Sequence, residues 1–509
     1  MSPTAVCAVP GAGAAALARP FVAMVLAISL AACASPLRRE VEAVLGDPVF
    51  AGTHWGLMIT TLEGEPVFSL NADRRFTPAS NTKMLVTAAA FHRLKGLDAP
   101  DAASGASLHL EPDVEGGPPD AILSGHGDAT LSDRADCISN CLAMLADALV
   151  RQGAMVLADV IGDDRHFPDE RWSPGWSWNN LQTRSGTAVS ALTVNSNEVA
   201  ILVRPGLAAG EPAAASWRPG DDVWPLVNEA VTVADGETDL RIERLPGAEA
   251  VRIYGVMQVG ASETTLTLGL NDPALVAASR LRRLLEQRGV AVEGKTRVRH
   301  RPPALSDDPT ARVDAPVLKE IAGEEMARAE VERLVAPPLI DDLRLILKAS
   351  QNVHAELLLR RLGRLEGAGS VADGLLVVRD MLREAGIADA EYDFADGSGM
   401  STYNRVTPAM MTRFLAWTAD QPWGDAWRDA LPVGGVDGTL ARRFRGSALE
   451  GRVFAKTGSL NAVHALSGFL VAASGRTLIF SAYANNHPSG APSGAAAIDA
   501  ALLAVAARR

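Results

Sequence analysis

Lysine is scarce in this 509-residue chain: Lys83, Lys95, Lys295, Lys319, Lys348 and Lys456 are all there is. A position that needs an ammonium group therefore has few candidates. Cysteine is scarcer still, at four residues. Cys7 and Cys33 lie in the N-terminal segment, Cys137 and Cys141 in the body. Four are too few for a disulfide-built scaffold, and their spacing fits no zinc set. No metal site is expected. Cys137 and Cys141 could bridge locally in an oxidising compartment or stand as two thiols at helical spacing. Positive charge is also in deficit. Against 60 acidic residues stand 48 Lys and Arg, for a net charge of −12 and a pI of about 5.3. That balance argues against nucleic acid as a partner, because phosphates call for a basic surface. No apolar run beyond the N-terminal region has the length of a membrane span.

What remains is an ordinary globular balance, 48% hydrophobic and 21% charged, which permits a large buried core. The N-terminus reads as an address. Residues Arg19 to Cys33 run RPFVAMVLAISLAAC, one positive charge before a short apolar stretch ending in small residues. Leu30-Ala31-Ala32-Cys33 resembles a bacterial lipoprotein box, so residues 1–33 are expected to form a signal peptide with Cys33 as the lipidated residue. Ala34 follows, and the absence of Asp there fits outer-membrane sorting from the periplasm. Ordinary cleavage near Ala32-Cys33-Ala34, releasing a soluble periplasmic protein, is the alternative.

Along the body, a short helix is expected after Pro36. Strands are expected over His54–Thr60 and Pro66–Leu70 around the turn Glu63-Gly64-Glu65. Met84, Leu85, Ala88 and Phe91 repeat at helical spacing, predicting a helix from Ser80 to Leu94. Cys141–Met155 reads as a helix. From about 156 to 310 short strand-like runs (199–203, 251–259) alternate with Gly/Pro-rich connections around one helix near 272–288, in the manner of inserted material. Helices follow over 340–350 and from 353, then strands near 451–457, 463–472 and 476–484. An Ala-rich helix closes the chain from Gly494 to about Ala507.

Three short motifs carry chemistry, in order: Ser80-Asn81-Thr82-Lys83, Ser350-Gln351-Asn352 and Lys456-Thr457-Gly458. A serine hydroxyl is a weak nucleophile and needs a base within hydrogen-bond reach. Ser and Lys three apart on a helix share a face, so Lys83 can approach the Ser80 oxygen. A lysine serves as a base only when held neutral, by desolvation or a neighbouring cation, and Lys456 could supply that field. Ser80 at a helix N-terminus, with a strand from Lys456 bringing up the Ser459 N–H, would give two donors for an oxyanion. Ser-x-Asn alone says little, since it also occurs at Ser69, Ser177 and Ser459; only the Ser350 copy lies between the other motifs on a helical pattern. Ser-x-x-Lys and Lys-Thr-Gly each occur once. Read singly, Ser80 could be an N-cap, Lys456 a solvated strand-end charge, and Ser350 and Asn352 caps of the next helix.

With these motifs stand Gly127-Asp128, Gly162-Asp163-Asp164, Pro174-Gly175-Trp176, Asp396-Gly397-Ser398-Gly399, Val406-Thr407-Pro408, Gly435-Val436-Asp437-Gly438-Thr439-Leu440 and Ser459-Leu460. Together they resemble the low-molecular-mass class C penicillin-binding proteins, D-alanyl-D-alanine carboxypeptidases that also act as endopeptidases. The resemblance covers nearly the whole mature chain. It implies an α/β (α+β) fold with a transpeptidase-like core, an antiparallel sheet flanked by helices. That core would be built from 37–103 and 313–509 around inserted mixed domains at 104–312. It implies Ser80 as acylated nucleophile, Lys83 as general base, and Ser350 and Asn352 as proton relay and orienting groups. Lys456 and Thr457, with Gly458 and Ser459 on the same strand, would bind substrate and its terminal carboxylate. No cofactor is needed. Peptidoglycan peptides would be substrates and β-lactam antibiotics inhibitors, with a lipid anchor tying the protein to a membrane.

Two departures bear on substrate choice. Family members often read Gly-Leu-Ser-Arg where this chain has Gly399-Met400-Ser401-Thr402, and tend to carry an acid near Asn180. Trp172, Trp176 and Trp178 are expected to pack rather than line a groove. His126 and Asp128 read as turn chemistry, and His354 with Glu356 suggest no metal site. Two rival readings stay open: a serine β-lactamase or esterase with the same motifs, and a catalytically silent peptidoglycan-binding lipoprotein.

Overall fold

A computed structural model describes residues 36–113, 115–314 and 328–508. The signal segment with Cys33 and the stretch holding Lys319 lie outside them. Five antiparallel strands form the central sheet, in the order Val453–Leu460, Val463–Val471, Thr477–Asn485, His54–Thr61, Pro66–Leu70. The first and last stretches of chain thus close one sheet. The 54–61 and 477–485 strands are buried along most of their length, because helices cover both faces. On one face lie Pro36–Leu45 and Gly494–Arg508, whose Leu37, Val41, Ile498, Leu502 and Val505 pack on Leu57, Leu466 and Phe480. On the other lie Thr82–Arg93, Leu339–Lys348, Asn352–Gly363, Val371–Glu384 and Pro408–Ala419.

The 82–93 helix is buried from Thr82 through Phe91. A helix apolar nearly all round belongs in a core. Burying Met84, Leu85, Val86 and Phe91 contributes roughly 1.5–3 kcal/mol each. Its N-terminus is thereby fixed where the sheet edge passes. The helix expected at 340–350 ends at Lys348, because Ser350 adopts a left-handed backbone (φ +62°) that breaks it before the next helix begins at Asn352.

The long segment between Arg93 and Leu339 forms its own layers. A five-stranded mixed sheet runs Thr296–Arg299, Val160–Asp163, Asp120–Ser124, Ser107–Glu111, Ala329–Arg333, backed by helices Leu142–Arg151 and Pro273–Glu286. Its last strand lies downstream of residue 312. Two three-stranded sheets share a further core around Val199, Ile201, Ile253 and Met257. The helix expected from Cys141 to Met155 is shorter, since Gly153 turns left-handed (φ +82°). Cys137 and Cys141 sit in the loop before it rather than on it, with Cα atoms 5.9 Å apart, and are joined as a disulfide.

Candidate active site

The turn Ala79–Asn81 hands the chain to the 82–93 helix and carries Ser80. Ala79, fully buried, is held left-handed (φ +47°). Two glycines make room for that turn. A Cβ on Gly399 would meet the Ala79 carbonyl oxygen at 1.9 Å, and one on Gly458 would meet the Pro78 oxygen at 2.5 Å. The 453–460 strand thus lies directly against the Ser80 turn, as the Lys-Thr-Gly motif requires. Asn81 fastens the two by donating its amide N–H to the Lys456 carbonyl at 2.9 Å.

Lys83 points up the helix face toward Ser80. Its Nζ lies 3.0 Å from Ser80 Oγ, 2.6 Å from Asn352 Oδ1 and 2.5 Å from the Ser398 carbonyl. All three partners are neutral. Lys83 is fully buried, and burial pulls its pKa down to about 7 against the opposing pull of Asp396 and Glu356. Lys456, also fully buried, donates to Ser350 Oγ at 2.8 Å and to the Thr457 carbonyl at 3.0 Å. Burial, with Lys83 nearby, holds it well below the usual lysine range. Asn352 Nδ2 donates to the Ser185 carbonyl at 2.8 Å, tying the insertion to the site. Thr457 Oγ1 donates to Thr439 Oγ1 at 2.7 Å. Ser459 is exposed at the open end of the strand and Gly458 is buried against the turn. The structure therefore gathers Ser80, Lys83, Ser350, Asn352, Lys456 and Thr457, from motifs up to 376 positions apart (456 − 80), at one sheet edge.

Sequence reasoning assigned no role to the loop that holds Lys83. Asp396 accepts from Gly399 N (2.9 Å), Ser401 N (2.6 Å), Asn404 Nδ2 (2.6 Å) and Trp176 Nε1 (2.9 Å). Glu356 accepts from Gly397 N (3.0 Å) and Ser398 N (2.8 Å) and pairs with Arg360 at 3.0 Å. Both carboxylates are fully buried, and together they fix the Ser398 carbonyl beneath Lys83. The only sequence signal was that Asp396-Gly397-Ser398-Gly399 belongs to the family pattern. Trp172 turns its indole N–H inward to the Gly186 carbonyl at 3.0 Å, as Trp176 does to Asp396, while Trp178 is 61% exposed. Asp128 accepts from Thr130 N and Oγ1, which is turn chemistry. Thr402 is exposed and Asn180 half-buried. The Thr402 carbonyl accepts from Arg405 at 2.5 Å, so a guanidinium stands near the departure from the family pattern.

The sheet, its flanking helices and this serine–lysine edge define a penicillin-recognising fold. The D-Ala-D-Ala carboxypeptidase 3 (S13) family model matches residues 37–506, and the chain belongs to that family. It is 33% identical over 472 residues to a D-alanyl-D-alanine carboxypeptidase from Actinomadura sp. (strain R39), covering 90% of this chain and 82% of that one. A penicillin-sensitive carboxypeptidase A from Dictyostelium discoideum is 26% identical over 86% of this chain and 84% of its own. Among solved structures, penicillin binding protein 4 from Haemophilus influenzae superposes with a TM-score of 0.73 at 21% identity, covering 91% of this chain and 97% of that one. The fold expected for a low-molecular-mass class C penicillin-binding protein, and the serine-type D-Ala-D-Ala carboxypeptidase class, follow from these matches.

Proposed function

We propose that Ser80 is the acylated nucleophile and Lys83 its general base in hydrolysis of D-Ala-D-Ala stem peptides and of cross-links. The carrying observation is the partner set of Lys83 Nζ. A neutral amine has two N–H and one lone pair. The two short contacts, to Asn352 Oδ1 and the Ser398 carbonyl, take the N–H groups. The lone pair is left for the third neighbour, Ser80 Oγ. Ser80 Oγ then attacks the penultimate carbonyl as its proton passes to Lys83. The Ser80 and Ser459 N–H groups hold the oxyanion. The proton taken by Lys83 passes on through the Ser350 hydroxyl, which Lys456 holds at 2.8 Å, to the leaving D-Ala nitrogen, and Lys83 returns to its neutral form. Water hydrolyses the ester with Lys83 again as base. Two adjacent buried ammonium groups oppose each other, so an incoming carboxylate favours charge on Lys456 while Lys83 stays neutral. That gives Lys456, with Thr457 and Gly458, the terminal carboxylate to bind.

The reading includes a β-lactam as a substrate mimic. The related Haemophilus influenzae structure, solved with a β-lactam, has the same fold at TM-score 0.67. It also includes a periplasmic location and lipidation at Cys33, supported by the leader pattern alone; among the described residues no helix is long and apolar enough to cross a membrane. The domain division is 37–103 and 313–509 around 104–312, with 329–333 lent back to the insertion's sheet. D-Ala release from an acylated tripeptide ending in D-Ala-D-Ala tests the assignment. Wild type should release it, and Ser80→Ala, folded by circular dichroism, should not. Release undiminished in Ser80→Ala would overturn it.

A further inference from the structure

A second serine stands in hydrogen-bond order with a histidine and a carboxylate, far in sequence from the Ser80 motif. Ser196 Oγ lies 2.8 Å from His354 Nε2, and His354 Nδ1 lies 2.5 Å from Asp342 Oδ1. The two ring nitrogens face opposite partners, the orientation in which a neutral imidazole takes a serine proton while a carboxylate holds its tautomer. His354 and Asp342 are buried, whereas Ser196 is partly accessible. It lines a cavity of about 400 Å³ between the insertion and the catalytic body, with Leu131, Arg134, Val199, Arg218 and Leu345 in its walls.

The backbone at Ser196 is unusual. Asn195, Ser196 and Asn197 are consecutively left-handed (φ +51°, +55° and +54°). Asparagine tolerates that region; serine does so far less readily. The flanking side chains impose it. Asn195 Oδ1 accepts from Ser132 Oγ at 3.0 Å, and its amide N–H goes to Asp133 Oδ1 at 2.5 Å. Asn197 Oδ1 accepts from Val194 N at 3.3 Å, and its Nδ2 donates to the Ala188 carbonyl at 3.0 Å. Both asparagines face into the insertion, and the serine between them is presented to His354. Over-determined strain of this kind gathers at functional positions.

We propose that Ser196, His354 and Asp342 form a second hydrolytic site, independent of Ser80, acting on small acyl esters. Ser196 Oγ adds to the acyl carbonyl as its proton passes to His354 Nε2. The bond to the alcohol oxygen breaks and the alcohol leaves with that proton. Water then adds to the Ser196 ester, giving a proton to Nε2. The acid departs as Ser196 Oγ regains it. The cavity is of the size that holds a small ligand, and its lining of Arg218, Glu198 and an Arg134 that pairs with Asp221 at 3.2 Å suits a small polar ester. Charged groups face His354 from three sides: Asp342 on the 339–348 helix, Asp128 in the 125–130 loop and Glu198 on the 198–204 strand. Burial disfavours the imidazolium, but the carboxylates together outweigh it and hold His354 above the ordinary histidine range, so activity should rise as pH rises.

The test uses full-length protein in two forms, Ser80→Ala and wild type blocked with benzylpenicillin. Each is treated with a fluorophosphonate probe and mapped by peptide mass spectrometry, and p-nitrophenyl acetate hydrolysis is followed from pH 6 to 9. The expected result is an adduct on Ser196 in both forms. Ester hydrolysis should increase with pH and fall at least 10-fold in Ser80→Ala/Ser196→Ala, while Ser196→Ala alone leaves D-Ala release unchanged. No Ser196 adduct in either folded form would overturn the proposal. So would an ester rate untouched by Ser196→Ala, which would leave the three residues as a tether between the two parts of the molecule.

Discussion

The catalytic edge and the ion pairs of the insertion treat buried positive charge in opposite ways. In the insertion, Arg280 is 2% exposed and sits 2.9 Å from Asp221 and 3.4 Å from Asp133. Arg299 and Arg328 each reach Glu111 at 2.8 Å. Every one of these cations is met by a carboxylate. At the catalytic edge, Lys83 and Lys456 are fully buried, and their hydrogen bonds go to neutral oxygen and hydroxyl atoms. A buried charge without a counter-charge gives up its proton rather than bear the desolvation. An arginine cannot respond that way and keeps its charge, against a carboxylate as Arg280 does or over an aromatic ring as Arg244 does at 4.5 Å from the Trp224 centroid, whereas a lysine can give up its proton and become a base. Among these residues, an ion pair marks charge that holds the fold together, and a buried lysine without one marks charge used in chemistry.

That contrast can be broken most sharply at Lys83. Lys83→Met should slow Ser80 acylation by about 10²–10⁴-fold, the usual worth of a general base. Lys83→Arg should do no better, because arginine stays protonated. Stopped-flow or intact-mass acylation rates decide it, and a Lys83→Arg enzyme near wild-type rate would refute the base assignment. Lys456→Ala should lower kcat/KM for a D-Ala-D-Ala peptide by about 10- to 100-fold, as loss of a charge-assisted hydrogen bond does. Amidating the terminal carboxylate of the peptide should cost wild type a similar factor and the Lys456→Ala variant almost nothing.

On the other side of the comparison, Arg280→Ala leaves Asp133 and Asp221 buried beside a lost partner. It should destabilise the protein by about 3 kcal/mol in urea unfolding, with acylation per folded molecule unchanged. The pH profile sharpens the picture further. Acylation needs neutral Lys83, so its rate should rise with pH through about 7 in wild type. The smallest effect concerns stability. Lys83 is depressed on folding, so between about 7 and the ordinary lysine value the unfolded chain binds more protons than the native one. Stability from this group should therefore increase as pH rises across that window. Thermal midpoints of wild type minus Lys83→Met, measured from pH 7 to 10, should grow with pH; a flat or falling difference would contradict the depressed lysine.

Much of the catalytic body was legible because its signals are local. Alternation and turn chemistry marked the 54–61 and 66–70 strands. With only six lysines, the single Ser-x-x-Lys and single Lys-Thr-Gly stood out. Ser350 was harder, chosen among four Ser-x-Asn copies by the helices around it, and its left-handed backbone left no mark in the sequence. The supports of Lys83 were beyond reach of spacing, since Ser398 meets it across 315 positions and Glu356 acts only through that loop. The insertion was legible only as mixed short strands. Its sheet pairs strands in parallel and borrows 329–333, long-range choices that periodicity does not encode. The disulfide is not legible in the sequence, because Cys137 and Cys141 are four apart, a spacing that fits a helix as well as the loop they occupy.

The most direct test is the intact mass of the mature protein over time after benzylpenicillin, with peptide mapping of the adduct. One stoichiometric adduct is expected on Ser80, persisting for minutes or longer, and none in Ser80→Ala. An adduct mapped to another residue, or none from a folded sample, would contradict the assignment of Ser80. An adduct on Ser80 that clears within seconds while penicillin is consumed would contradict the peptidase and leave a β-lactamase.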